Sequence, residues 1–92
     1  MRVEWAEVAQ RDLADFAEQA YETDPDRADR LLAEAGKATE FLGHVPFGGS
    51  PQDNDGLRKL SLGRLPYIIL YVVQSDRVYV TRLHHSSQNW RK

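Results

Sequence analysis

Cysteine is absent from this 92-residue chain, which excludes disulfides and thiolate metal sites and leaves packing, or a partner, as the source of stability. No apolar run approaches the roughly 18 residues of a membrane-spanning helix. Met1, Arg2, Val3, Glu4 and Trp5 bring a carboxylate at once and no apolar stretch follows. They do not read as a signal peptide, so a soluble cytoplasmic protein with no membrane partner is expected. Catalytic signatures are missing as well. Gly48 and Gly49 lack the following Lys and Ser/Thr of a phosphate-binding loop and its strand-to-helix setting. There is no cysteine nucleophile and no G-x-S-x-G elbow, and neither a metal nor another cofactor is expected. What is present, 41% hydrophobic and 28% charged residues without repeats, is the composition of a globular chain. Its length suits one domain over residues 1–92.

The net charge of −2 hides an asymmetry. Residues 1–56 carry 5 Lys/Arg against 13 Asp/Glu, whereas residues 57–92 carry 7 Lys/Arg and the single Asp76. Such separation concerns surfaces and partners rather than fold. The basic half suits a phosphate backbone or the acidic segment of a protein. Equally, the two halves can neutralise each other across the folded domain.

Periodicity supplies the elements. Val3 and Trp5 alternate with Arg2 and Glu4, which fits a short strand. Ala9, Leu13, Phe16, Ala17 and Ala20 recur at helical spacing, predicting an amphipathic helix over 7–21. Asp24 and Pro25 open a second helix as cap and first residue, with Asp26 near its positive end. Its apolar stripe runs through Ala28, Leu31, Leu32, Ala35, Ala38, Thr39 and Leu42, and Gly43 is placed to close it. Residues 44–56 are rich in Gly and Pro and read as an irregular loop. Three strands follow at 57–62, 67–74 and 77–84, the middle one so apolar that it is expected to be covered on both faces. In the last, Val78, Val80, Arg82 and His84 should share one side, with Leu83 on the other. Ser75 and Asp76 form a tight turn. The expected fold is α+β in the order β-α-α-β-β-β, a helical hairpin on an antiparallel sheet.

Within that frame few side chains invite chemistry. His84 and His85 are adjacent on a strand and point to opposite faces, so they cannot chelate one metal; one of them can act as a base or a contact residue. Arg58, Lys59, Arg64, Arg82 and Arg91 offer bidentate or point contacts to phosphate or carboxylate, or else pair with the acidic helices. The functional reading is favoured at Arg64 and Arg82, the structural one at Arg77. Trp90 either pins the chain end or anchors a partner.

The run Gly56-Leu57-Arg58-Lys59-Leu60-Ser61-Leu62-Gly63-Arg64-Leu65-Pro66-Tyr67-Ile68-Ile69-Leu70-Tyr71 resembles the G-L-R-x-L-x-x-G-R-x-P-Y-x-I-x-Y segment of ParE-type toxins. Residues 76–85 resemble their final strand and the histidine after it. The Val3-Glu4-Trp5 start, Asp12-Leu13 in the first helix and the Asp24-Pro25 entry extend the likeness along the chain to the RelE/ParE superfamily of type II toxins. That resemblance implies one of two activities. RelE-like members cut mRNA in the ribosome with basic residues and a terminal Tyr or His, since no metal supplies the charge. Where they carry an arginine three residues before a strand tyrosine, this chain has Ile68 before Tyr71, and where a second follows the last strand it has Gln88. Its pI near 5.9 is also low for a ribosome binder. Were it such a nuclease, Arg58, Arg64, Arg82 and His85 would be the candidate catalytic set. ParE-like members are associated with inhibition of DNA gyrase by binding, and this is the activity expected here; a toxin that keeps only antitoxin binding is the third reading. The resemblance further implies a cognate antitoxin whose segment wraps the toxin and supplies DNA binding, so none is expected of this chain alone. Candidate antitoxin or target contacts are Leu13, Leu31, Arg58, Lys59, Leu60, Arg64, Arg82 and Trp90, with 57–62 as an open sheet edge.

Overall fold

A computed structural model describes residues 1–52 and 55–87. The elements are β1 (Arg2–Trp5), α1 (Glu7–Thr23), α2 (Pro25–His44), β2 (Ser50–Pro51), β3 (Arg58–Ser61), β4 (Tyr67–Val73) and β5 (Arg77–His85). Both helices form where the periodicity places them. Asp24 alone separates them: its N–H donates to the Ala20 carbonyl and its carboxylate accepts from the Arg27 N–H, ending one helix and starting the next. Gly43 does not close α2. The helix continues to His44 and ends as the Val45 N–H donates to Phe41, while the chain's amino group donates to the Gly43 carbonyl at 2.8 Å.

The sheet order is β1-β5-β4-β3-β2. The antiparallel expectation holds for β2 to β5, but β1 runs parallel to β5, so the sheet is mixed. The helical hairpin and strands β2 to β4 together form the long crossover that such parallel neighbours require. The loop also holds an unexpected two-residue strand, β2, whose alternation is too short to read from sequence. The apolar β4 lies in the middle, with Tyr67 to Tyr71 all buried.

Alternation in β5 fails at one point. Tyr71 pairs with Val80 but Leu70 pairs with Arg82, so Thr81 is a bulged extra residue. The bulge turns Leu83 to the same side as Val78 and Val80, and all three join the core cluster with Ile69, Tyr71, Leu31 and Leu42. Leu83 was expected on the opposite face; one inserted residue reverses the parity of everything after it.

Tyr71 joins this core to the loop. Its ring is fully buried and its hydroxyl accepts the Gly49 N–H at 2.8 Å. A Cβ at Gly49 would lie 2.5 Å from the Lys59 carbonyl oxygen and 2.7 Å from that hydroxyl, so only glycine fits. Tyr71→Phe keeps the ring but leaves a buried N–H without its acceptor, and is expected to lower stability by about 1–3 kcal/mol in denaturant titration; an unchanged midpoint would show that the hydroxyl is dispensable.

Candidate functional site

The arginines that sequence reasoning singled out are mostly committed within the fold. Beyond Trp5, which is opposite Val80, β1 no longer covers the edge of β5. Helix α1 takes over: Asp12 accepts the Leu83 N–H at 3.1 Å, completing the edge with a carboxylate in place of a strand. The same carboxylate receives Arg82 as a fork, Nε at 2.7 Å and a terminal nitrogen at 3.0 Å. Burial pushes the Asp12 carboxyl up, but the hydrogen bonds from Arg82 and Leu83 outweigh it and hold the group below its ordinary value. Arg58 is occupied on the other side of the sheet. It donates to the carbonyls of Gly49 (2.7 Å) and Phe47 (3.2 Å) and lies 4.9 Å from the centre of the Phe47 ring. Arg77 bridges Glu4 at 2.9 Å, a structural pairing, but with a carboxylate of β1 and not of the acidic helices.

These groups do not converge. Arg58 is opposite Tyr71, on the face covered by the helices, whereas Arg82 is opposite Leu70, on the other face. His85 is opposite Tyr67, four residues from Tyr71 and so roughly 13 Å along the strand. It meets Tyr67 edge-on at 5.3 Å beside a cavity of about 230 Å³ that also reaches Phe16 and Arg27. Arg64 is exposed in the turn between β3 and β4, and Lys59 is half-buried opposite Leu70. Ile68, at the position where the nuclease pattern has arginine, is buried. Leu31 is wholly buried and offers a partner no surface, whereas Leu13 and Leu60 are half-buried and line grooves. Gln88, Trp90 and Arg91 lie outside the described residues. Among the described residues no three His, Asp or Glu side chains cluster as a metal site, and no helix is long and apolar enough to cross a membrane.

What the fold does present is apolar surface. A groove of about 400 Å³ between the helices is walled by Trp5, Leu13, Leu32 and Ala35. A second, about 230 Å³, lies between α2 and the β3 edge, with Ala38 and Phe41 facing Leu60 and Leu62. Next to it Phe41, Val45 and Phe47 are exposed, Phe47 at 64%. Sequence reasoning overlooked Phe47; its signal was an aromatic flanked by Pro46 and Gly48 in an otherwise polar loop.

Comparison with known proteins aligns with this architecture. Residues 3–90 match the family model described as the ParE toxin of the type II toxin–antitoxin system parDE. The toxin candidate Y4kP of Sinorhizobium fredii is 34% identical over 89 residues, covering 97% of this chain and 92% of that one. The solved chromosomal ParDE toxin–antitoxin system from P. aeruginosa contains a chain that superposes with a TM-score of 0.80 at 20% identity, covering 92% of this chain and 95% of that one. At that identity the likeness speaks to the fold.

The Asp12 pair carries a pH signature. A carboxyl held low in the folded state adds stability above its unfolded value and loses that contribution as pH falls through the folded one. Asp12→Asn is expected to cost about 1 kcal/mol near neutral pH, a modest figure because Arg82 is half-exposed. The gap to the wild-type chain should narrow below about pH 4, read by denaturant titration at neutral and acid pH. An equal gap at both would mean that charge is not involved.

Proposed function

The chain belongs to the ParE toxin family of type II toxin–antitoxin systems, and we propose that it acts by binding and inhibiting DNA gyrase, with a cognate antitoxin holding it in check. The gyrase target follows from the ParE side of the resemblance. The observation that carries the reading is the state of the nuclease position: Ile68 is buried in the middle strand, so no side chain there reaches an RNA phosphate. Phosphoryl-transfer chemistry without a metal needs several cations aimed at one developing charge. Here Arg58 and Arg82 lie on opposite sheet faces, and each guanidinium is already hydrogen-bonded within the domain. That geometry supports an inhibitor that works through contact surface rather than bond cleavage. In the complex, the antitoxin supplies DNA binding and covers apolar surface that the toxin leaves open.

The test is reconstituted supercoiling. Purified gyrase, relaxed plasmid and ATP are incubated with increasing amounts of the chain, then with chain plus antitoxin. Supercoiling should fall with dose and recover when the antitoxin is added. Untouched supercoiling, together with arrested translation and mRNA cut at the ribosome, would replace this reading with the nuclease one; Arg64, Arg82 and His85 would then be the first alanine targets.

A further inference from the structure

Four element ends meet at the bend of the helical hairpin: α1 reaches Thr23, α2 starts at Pro25, β4 begins at Tyr67 and β5 finishes at His85. The cavity of about 230 Å³ beside His85 lies among them, lined by Phe16, Gln19, Thr23, Arg27, Tyr67 and His85. Three flat rings form its wall. Phe16 lies 5.1 Å from Tyr67, tilted by 60°, and His85 meets Tyr67 edge-on at 5.3 Å.

Two polar groups on this cavity are left over by the fold. Tyr67 is only 5% exposed. Whereas the Tyr71 hydroxyl holds the Gly49 N–H, the Tyr67 hydroxyl makes no hydrogen bond with any described residue. Among the described residues no side-chain oxygen sealed from solvent lacks a partner, so this hydroxyl meets solvent, and the cavity is the space that reaches it. Enclosed polar groups are otherwise bonded; here the bond is open to whatever enters. Arg27 is the second group. It is half-buried, and its guanidinium has no ion pair or hydrogen bond among the described residues. Acidic residues are close in sequence, but the Asp24 carboxylate is occupied by the Arg27 main-chain N–H.

We propose that this cavity is a binding site for a small planar carboxylate: a flat apolar body bearing one carboxyl group. The carboxylate is received by the Arg27 fork, whose paired N–H groups match its two oxygens. The Tyr67 hydroxyl is the second donor, and the flat body lies along the Phe16 and Tyr67 rings. Size fits, since an apolar cavity of about 150 Å³ holds benzene and this one is larger by roughly the volume that a carboxyl group requires. Charge sets the class. Residues 18–26 hold Glu18, Glu22, Asp24 and Asp26 and no lysine or arginine, so the hairpin bend repels a phosphate dianion or a nucleic-acid backbone while Arg27 accommodates a single charge. The site is separate from the Asp12–Arg82 pair and does not depend on the gyrase reading.

The full isotope-labelled chain is titrated by NMR with benzoate, and in parallel with benzyl alcohol and inorganic phosphate. Benzoate is expected to shift the amides of Gln19, Thr23, Arg27, Tyr67 and His85 saturably, with a Kd at least about tenfold below that of either other probe. Arg27→Ala should weaken benzoate about tenfold or more, and Tyr67→Phe about threefold or more. Arg11→Ala, which alters an exposed arginine paired with Glu7, should bind within about twofold of the wild-type chain. Because the Tyr67 hydroxyl bonds nothing in the domain, Tyr67→Phe without benzoate should melt within about 2 °C of the wild-type chain. A clear loss of stability in Tyr67→Phe would assign the hydroxyl to the fold and overturn the proposal. Benzoate shifts that do not saturate, phosphate or benzyl alcohol binding as tightly as benzoate, or benzoate affinity unchanged in Arg27→Ala would each overturn it as well.

Discussion

The hydroxyl of Tyr71 is where the interior of this protein determines its surface. The ring occupies the centre of the middle strand, with Val80 opposite it on β5 and Arg58 opposite it on β3. Because the ring is fully enclosed, the hydroxyl has a fixed position, and it holds the Gly49 N–H. That single bond draws the loop against β3, allows Ser50 and Pro51 to pair, and brings the Gly49 and Phe47 carbonyls within reach of Arg58. A buried polar group in a low-dielectric interior is costly unless satisfied, so loop and core stand or fall together.

Charge is used in the same economical way. The acidic first half and basic second half partly meet across the fold, as Asp12 with Arg82, Glu4 with Arg77 and Arg2 with Asp76. Most of these are exposed pairs of small energetic value. Asp12 differs because its carboxylate also completes the edge of β5. It replaces a missing strand with one side chain and consumes the arginine that sequence reasoning had favoured for function. Arg64 remains exposed in the turn between β3 and β4.

Much of this fold was legible because it rests on local periodicity: the two helices, the Asp24-Pro25 junction and the all-apolar middle strand read directly from spacing. The motif between Gly56 and Tyr71 likewise marked the family. The departures have common physical causes. A parallel first strand depends on where the hairpin returns, which no local pattern encodes. The bulge at Thr81 is a single inserted residue, and it moved Leu83 into the core. Side-chain partners were least legible: Arg58 and Arg82 look alike in sequence, yet one is spent on loop carbonyls and the other on a helix carboxylate. Phe47 escaped notice because its significance comes from Tyr71, Arg58 and two glycines acting from elsewhere in the chain.

The resulting picture is of a small domain with no assembled catalytic pocket among its described residues, proposed to act through what it touches. Its central claim is that growth arrest comes from loss of gyrase activity. The most direct measurement is the linking-number distribution of a reporter plasmid in cells soon after the chain is expressed without its antitoxin. The account predicts a shift toward relaxed topoisomers before growth stops. Growth arrest with an unchanged topoisomer distribution would contradict it.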